Sequence, residues 1–214
     1  MNYEEKLRQF VISALNEDVG DGDYSTLSCI DENAKGKAVL KIKDNAVLSG
    51  VAIAESIFKF VQPDVDFTSF KKDGDEVKYG EIAFEIEAKI HTILKCERLV
   101  LNTMQRMSGI STLTKIYTDK LKGYHTQLLD TRKTTPNFRF LEKEAVRIGG
   151  GINHRFGLYE MIMLKDNHID YCGGIELAIQ KTQAYLQHTG LNIPIEVETR
   201  NLEDVRVVLR CGGV

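Results

Sequence analysis

The feature that most constrains the fold is a repeated order of segments in the second half of the chain. Three times, a short apolar stretch is followed by charged residues and then by a helical pattern; the stretches lie near 127–129, 161–164 and 193–197. Such alternation predicts parallel strands with the charged residues gathered at their C-terminal ends, as in an α/β barrel. Since three parallel strands cannot close a barrel, the sequence predicts an incomplete one.

The N-terminal part of the chain has other periods. Apolar residues at three-and-four spacing predict helices at 4–16 and 51–61, whereas alternating apolar and polar residues predict half-buried strands at 36–43 and 81–90. These elements predict a small α+β sandwich with helices on one face of an antiparallel sheet. The alternation in the last segment is carried by Ile82, Phe84, Ile86, Ala88 and Ile90.

A long helical period then connects the two halves. It covers 92–117 and is interrupted only by Gly109, and we expect it to bridge two domains. Its apolar positions are 93, 96, 100, 104, 107, 110, 113 and 116. The predicted domains are residues 1–108, the sandwich with the bridging helix, and residues 109–214, the barrel part.

Composition excludes several classes of protein. A net charge of -3 argues against a nonspecific nucleic-acid binder. No apolar run approaches the ~20 residues that span a bilayer, and the first residues are charged rather than signal-like, so we expect no membrane association and a cytoplasmic location. The cysteines form no CxxC pair, which predicts neither a zinc site nor a disulfide framework. They are Cys29, Cys96, Cys172 and Cys211.

The densest group of candidate site residues is Leu-Asp-Thr-Arg-Lys-Thr-Thr-Pro, which begins at Leu129. Arg132 can hold a carboxylate in a forked pair of hydrogen bonds, and Lys133 offers a compact charge for phosphate. Pro136 suits the first position of a helix with Thr135 as its cap, and a helix N-terminus attracts anions. A capped helix with solvated charges is the alternative, but it leaves the adjacent Arg and Lys unexplained.

A glycine-rich segment, IGGGINHR, runs from Ile148 to Arg155. One glycine would end the preceding helix, whose core face is Phe138, Leu141, Ala145 and Ile148. Three glycines indicate that the backbone approaches something closely, and His154 and Arg155 would add a donor and a carboxylate fork. Residues 130–155 hold six Lys or Arg against three acids, which favours a pocket for a small anion over a flexible loop.

Two further strand ends carry polar residues. Lys165, Asp166 and His168 follow one, and Glu196 and Glu198 leave the other on the same side. Two acids at a barrel mouth are costly unless they meet cations, hydroxyls or a metal ion; solvated glutamates on an edge strand are the alternative. On the long helix, Arg98 and Asn102 lie one turn apart, which by itself is typical of a solvated face.

Taken together, these motifs resemble the quinolinate phosphoribosyltransferase family along essentially the whole chain. The resemblance is carried by EDVGDGDYST, CERLVLNTMQRMSGISTLT, LLDTRKTTPNFRFLEKEAVRIGGGINHR, GLYEMIMLKDNHI and IEVETRNLEDV. It implies an N-terminal sandwich followed by an incomplete seven-stranded α/β barrel. It also implies a homodimer or larger homo-oligomer, in which the sandwich of one subunit closes over the barrel of another.

The resemblance also implies a reaction and its residues. Quinolinate would displace pyrophosphate from 5-phosphoribosyl 1-pyrophosphate and lose carbon dioxide, with Mg²⁺ bridging the pyrophosphate. The implied acid-binding residues are Arg132, His154, Arg155 and Lys165, with Arg98 from the neighbouring subunit. The implied donor-side and catalytic residues are Lys133, Lys165 and Glu198, and Thr131 belongs to the substrate-binding set; no residue is predicted as a protein metal ligand.

Family members continue beyond the position of Val214, with an aspartate after the next strand and a glycine-rich phosphate-binding segment. We therefore expect a chain that ends at Val214 to be inactive and poorly stable alone. Three alternatives stay open at this stage. One is a paralogue acting on another acid, such as the molybdenum-operon protein that resembles the family; another is a biotinyl-like or lipoyl-like carrier with Lys89 near its turn; the third is a noncatalytic subunit.

Overall fold

The computed structural model describes residues 2–214, which form two compact units that divide between His154 and Arg155. The first unit contains α1 (Tyr3–Val19), α2 (Tyr24–Cys29), β1 (Lys35–Lys41), β2 (Ala46–Val47), α3 (Val51–Val61), β3 (Asp66–Ser69), β4 (Glu76–Val77), β5 (Ile82–Lys89), α4 (Ile90–Lys120) and α5 (Arg139–Ile148). The second contains β6 (Ile162–Leu164), α6 (Asp166–Cys172), α7 (Ile175–Thr189), β7 (Ile195–Val197) and α8 (Leu202–Cys211). Within the described residues, no helix is long and apolar enough to cross a membrane.

The main sheet of the first unit is antiparallel, with the order β1-β5-β3. The strands predicted at 36–43 and 81–90 are confirmed as β1 and β5. The predicted alternation fails at Ile82, which is 41% exposed, while Ala83 and Phe84 are both buried. The reason is a register shift, because Leu40 pairs with Phe84 but the next residue, Lys41, pairs with Ile82.

The predicted helix at 51–61 is confirmed as α3, which packs its apolar face against α4. Ile57 is fully buried on this face. The residue before the helix, Gly50, has a φ of 98° and no side chain to cap it. Asp73 supplies the missing acceptor, since its Oδ1 accepts the Val51 amide at 2.8 Å.

The long helix α4 is continuous through Gly109 and extends beyond the predicted 92–117 at both ends. Part of its predicted apolar face is wrong, because Leu113 and Ile116 are exposed. From position 104 onward the predicted apolar positions are three residues apart. A helical turn takes 3.6 residues, so positions at a spacing of three shift steadily around the helix and leave the buried face. The buried face instead continues through Met107, Ser111 and Thr114.

The start of α5 differs from the prediction. The helix begins at Arg139 with Phe138 at its N-cap, so Pro136 is not its first residue and Thr135 is not its cap. Asn137 adopts a left-handed φ of 61°, which ends any helical path from Pro136. Residues 135–138 form a turn closed by the Phe138 amide and the Thr135 carbonyl at 3.2 Å.

Of the three glycines after α5, Gly149 approaches the backbone of α4 closely, as predicted. A Cβ on Gly149 would lie 2.5 Å from the Ser111 carbonyl oxygen and 2.6 Å from Thr114 Cβ. Gly150 takes the left-handed conformation of a turn, with a φ of 89°. Gly149 therefore serves helix packing, whereas Gly150 serves the turn.

The second unit is built on β6 and β7, which pair in parallel as predicted. Its core lies between this pair and the helices and consists of Leu164, Ile169, Ala178, Ile179 and Ile195. The prediction of a strand near 127–129 is wrong. In the first unit that segment forms only a single parallel bridge, between Leu129 and Ile152.

Two further expectations concern single side chains. The four cysteines are all free. Burial raises the pKa of the Cys96 thiol to about 12. Lys89 ends β5, and α4 begins at the next residue, so this position lacks the hairpin turn that a carrier domain needs.

Candidate functional site

The bridge between Leu129 and Ile152 aligns two of the predicted binding segments. The Ile152 amide donates to the Leu128 carbonyl at 2.8 Å, and the Asp130 amide donates to the Ile152 carbonyl at 3.1 Å. Parallel pairing puts the residues that follow each partner at the same edge. Thr131, Arg132 and Lys133 therefore leave the bridge beside His154.

Arg132 and Lys133 present their charges differently. Arg132 is half-buried, and its Nε is buried with no hydrogen-bond partner within the described residues. A buried donor left unsatisfied costs about 1–3 kcal/mol, so an anionic acceptor would relieve that cost. Lys133 is exposed, while its backbone amide donates to Thr131 Oγ1 at 3.1 Å. The Lys133 ammonium is therefore open to a ligand, while its backbone is fixed by the turn at Thr131.

The other cations of the predicted cluster are engaged inside the first unit. Lys143 forms a buried ion pair with Asp130 at 2.5 Å. Arg139 donates from Nε to Thr134 Oγ1 at 2.9 Å, and Arg147 pairs with Glu144 on α5. Arg132 and Lys133 are therefore the cations of the first unit's cluster that this segment offers to a ligand.

His154 is half-buried, and its backbone is held on both sides. Its amide donates to Asp130 Oδ1 at 2.8 Å, and its carbonyl accepts from Lys143 Nζ at 2.9 Å. These contacts fix the position of His154 next to the strand end that carries Arg132. Within the first unit the structure thus places Thr131, Arg132, Lys133 and His154 close to one another.

In the second unit, Lys165 and Glu198 follow the paired ends of β6 and β7. Leu164 pairs with Val197, and the Glu198 amide donates to the Leu164 carbonyl at 2.9 Å. Lys165 and Glu198 are therefore neighbours at the carboxyl edge of this parallel pair, and both are exposed. Glu196 is one pair earlier, opposite Met163.

Arg155 is also in the second unit. Its guanidinium donates to the Met161 carbonyl at 2.9 Å and contacts the Met163 sulfur at 3.5 Å. The side chain is half-buried and is anchored beside β6. A guanidinium has five donors, so these contacts leave some of them for a carboxylate.

Glu198 also lines an open cleft of about 560 Å³ in the second unit. The cleft lies between the residue that follows β7 and the turn from α6 to α7, and Gly174, Asn201 and Asp204 are among its other lining residues. Arg200, at its rim, donates to both Asp170 carboxylate oxygens, at 3.0 and 2.6 Å. The hydrogen bonds from Arg200 lower the pKa of Asp170, so that carboxylate stays charged.

Two arginines of α4 differ in what they contact. Arg98 is exposed, and its guanidinium forms no hydrogen bond or ion pair with any residue in 2–214. Arg106 is bound, because it donates from Nε and Nη2 to Glu142 Oε1 at 3.0 and 2.8 Å. Of the two, Arg98 is therefore the one open to a ligand or to a second subunit.

The residues that sequence reasoning missed are the buried charges beneath this segment, Asp130, Glu142 and Lys143. Glu142 is 6% exposed and Lys143 2% exposed. One signal was present, because Glu142 falls four residues after Phe138 on the apolar face of α5, where an unpaired carboxylate is costly. No pattern along the chain indicated the partner of either charge.

Comparisons with known proteins match both halves of the chain. The model of the quinolinate phosphoribosyl transferase N-terminal domain matches residues 23–108, and the model of the C-terminal domain of the same family matches residues 110–213. A chloroplastic nicotinate-nucleotide pyrophosphorylase (carboxylating) from Arabidopsis thaliana is 42% identical over 95% of this chain. The chain spans 58% of the length of that relative.

Two further relatives are covered more fully. A Bacillus subtilis protein named "Probable nicotinate-nucleotide pyrophosphorylase (carboxylating)" is 41% identical over 92% of this chain and 67% of its own length. The crystal structure of NadC from Streptococcus pyogenes superposes with a TM-score of 0.90 at 37% identity, over 99% of this chain and 74% of that one. These matches confirm the predicted α/β fold with its N-terminal sheet domain. The chain belongs to the quinolinate phosphoribosyltransferase family.

Proposed function

We propose that the protein transfers a phosphoribosyl group from 5-phosphoribosyl 1-pyrophosphate to quinolinate and releases pyrophosphate and carbon dioxide, giving nicotinate mononucleotide for NAD biosynthesis. The observation that carries the proposal is the pair of open cations, Arg132 and Lys133, which follow the Leu129–Ile152 bridge beside His154. A pyridine dicarboxylate needs several forked cations, and a phosphate needs a compact one. The names of the relatives describe the same chemistry.

On the acid side, Arg132, His154, Arg155 and Lys165 bind the quinolinate carboxylates. The buried, unpartnered Nε of Arg132 supports this role, since a carboxylate would satisfy it. Arg98 serves the site of a second subunit in a homodimer or larger homo-oligomer. Its support is an exposed guanidinium with no partner among residues 2–214.

On the donor side, Lys133, Lys165 and Glu198 bind the ribose and the pyrophosphate, and Thr131 shapes the turn that presents Lys133. In the described part of the chain, no three His, Cys, Asp or Glu side chains come together to hold a metal ion. We assign Mg²⁺ to the pyrophosphate of the donor, where it would neutralise charge on the departing group.

In the reaction, the pyridine nitrogen attacks the anomeric carbon of the ribose while the bond from that carbon to the pyrophosphate oxygen breaks. Lys133 stabilises the negative charge on the leaving pyrophosphate. Glu198 binds the ribose hydroxyls and favours the positive charge that develops on the ring. The cations on the acid side hold the nitrogen in line with the bond that breaks.

Loss of carbon dioxide follows from the carboxylate next to the ring nitrogen. After glycosyl transfer that nitrogen is positively charged, so the electron pair left on the adjacent carbon is stabilised. A proton on this carbon then completes nicotinate mononucleotide. The cations that bind the two carboxylates of quinolinate then bind the single carboxylate that remains in the product.

We assign the protein to the cytoplasm, a reducing compartment. The support is chemical, since Cys29 is exposed and free and the other cysteines are also unpaired.

The test measures quinolinate binding by calorimetry and carbon dioxide release after addition of the magnesium-bound donor. We expect quinolinate to bind more tightly than nicotinate, because nicotinate lacks the second carboxylate. Arg132→Gln should weaken quinolinate binding by about 1.5–3 kcal/mol, roughly 10- to 100-fold, because it removes charged hydrogen bonds. Lys122→Gln is the control, since Lys122 is exposed and pairs with Asp119 on the surface.

Two results would contradict the proposal. One is equal affinity for quinolinate and nicotinate, which would favour a paralogue acting on another acid. The other is unchanged quinolinate affinity in Arg132→Gln. Carbon dioxide release that requires both quinolinate and the donor would support it.

A further inference from the structure

Two consecutive residues of α5, Glu142 and Lys143, place opposite charges in the interior of the first unit, 6% and 2% exposed. Each is satisfied by groups that flank the predicted binding segments. Buried charges are tolerated only when paired and hydrogen-bonded. The groups that hydrogen-bond to Glu142 and Lys143 therefore indicate the role of these buried charges.

Lys143 holds two segments at once. Its Nζ contacts Asp130 Oδ1 at 2.5 Å and the His154 carbonyl at 2.9 Å. Asp130 Oδ1 in turn accepts the His154 amide at 2.8 Å. With its amide oriented by the surrounding acceptors, Asn153 Nδ2 donates to Asp130 Oδ2 at 2.8 Å and to the Lys143 carbonyl at 2.9 Å. The network links Asp130, two residues before Arg132, to His154.

Glu142 holds the other end of the same segment. Its carboxylate accepts the Thr135 amide at 3.2 Å and the Thr135 hydroxyl at 2.9 Å, and it is balanced by Arg106. The residues between, Thr131 to Thr134, carry the open cations. The segment is thus fixed at both ends by side chains of α5.

Stability alone does not account for the buried Asp130–Lys143 pair. Apolar residues of similar volume often stabilise a fold as well as a buried ion pair or better. An ion pair, however, provides directional contacts to three groups of the binding segments: the His154 carbonyl, the His154 amide and the Asn153 side-chain amide. Such supporting contacts fix the groups that bind a ligand and thereby set its affinity.

We infer that Asp130 and Lys143 are positioning residues that hold Arg132 and His154 in the arrangement that binds the dicarboxylate. The inference rests on the proposed function for the identity of the ligand. Neither residue touches the ligand itself. Both act through the backbone of the segments to which they are hydrogen-bonded.

The test compares Asp130→Ala, Asp130→Asn and Lys143→Met in the full chain, with quinolinate as the calorimetric probe. Asp130→Ala and Lys143→Met should weaken binding by about 10- to 100-fold, the usual effect of removing a supporting contact at metal sites. Asp130→Asn keeps an oxygen that can accept from Lys143 and His154 and should recover part of this loss. Glu144→Gln is the control, because Glu144 pairs with Arg147 at the surface of the same helix.

Calorimetry separates positioning from folding, since misfolded protein lowers the number of sites whereas a misplaced segment raises Kd. A reduced site number with an unchanged Kd in Asp130→Ala and Lys143→Met would overturn the inference. Where a variant fails to fold, Asp130→Asn carries the comparison. The Kd of Asp130→Asn must then lie between the Kd of the unmodified chain and the Kd of whichever of the other two variants folds.

Hydrogen exchange of the His154 amide gives a second readout that needs no ligand. It should be faster in Lys143→Met and in Asp130→Ala and unchanged in Glu144→Gln. If the unmodified chain fails to bind quinolinate, the proposed function fails, and this exchange still decides whether the pair fixes the segment. Unchanged protection of His154 in Lys143→Met would overturn the inference.

Discussion

At the scale of single residues, the junction between α4 and α5 depends on the absence of a side chain. Gly149 is buried, and any Cβ there would overlap the Ser111 carbonyl and the Thr114 side chain. Ser111 is fully buried and donates its hydroxyl to the Ala145 carbonyl at 2.8 Å. Neither neighbour can move far, because both belong to the packed face of α4.

We therefore expect Gly149→Ala to lower the free energy of unfolding by about 1–3 kcal/mol through overpacking. The matched control is Gly109→Ala, since Gly109 lies in the interior of α4, where an added Cβ would have nothing within 4 Å. That change should raise stability by about 0.5–1 kcal/mol, because alanine favours a helix. Urea denaturation followed by circular dichroism measures both; equal effects of the two changes would refute the packing argument.

At the scale of elements, α1 is held to the start of α5 by aromatic rings. The Tyr3 ring meets the Phe140 ring edge-on, with centroids 5.7 Å apart, and Phe10 lies between Phe138 and Phe140. These contacts confirm the predicted amphipathic helix at 4–16 and show which surface its apolar face covers.

Burial, followed by the nearby carboxylates of Glu144 and Asp73, raises the pKa of Tyr3 from 10.0 to about 12. A folded pKa above the unfolded one means that this contribution to stability is complete below pH 10 and is lost as the pH rises through about 12. We expect Tyr3→Phe to remove this part of the alkaline loss of stability. Denaturation curves of both proteins across this pH range test it, and identical pH dependence would contradict it.

At the scale of the whole molecule, the described residues form two units, each with its own core. The core of the second unit is small and centres on Ile179, which is fully buried on α7. The exposed leucines of α8, Leu202 and Leu209, add nothing to it, since each is 75% exposed. A small core makes each buried side chain a large share of the stability of the unit.

We expect Ile179→Ala to destabilise the second unit by about 2–5 kcal/mol, because it leaves a cavity among Leu164, Ile169 and Ile195. Leu209→Ala should change stability by no more than about 0.5 kcal/mol. Hydrogen exchange of the amides in 155–214 measures both. The expectation fails if Leu209→Ala accelerates exchange as much as Ile179→Ala does.

The local sequence pattern was sufficient to predict the structure wherever the environment of a residue depended on its near neighbours in the chain. The 3.6-residue period determined α1 and α3, and the two-residue period determined most of β5. The motif placed Arg132 and Lys133 at the edge of a parallel bridge, because charges directly after an apolar stretch fall there. The two-residue period failed at Ile82, because a β-bulge depends on how β5 pairs with its partner strand.

The tertiary structure decided everything that joins segments distant in the sequence. It placed Gly149 against α4, and it paired Lys143 with Asp130, thirteen residues away. It reduced the predicted strand near 127–129 to a single bridge with Ile152. The physical reason is that periodicity reports which face of an element is buried, whereas the partner of a buried charge or a missing side chain depends on how those faces meet.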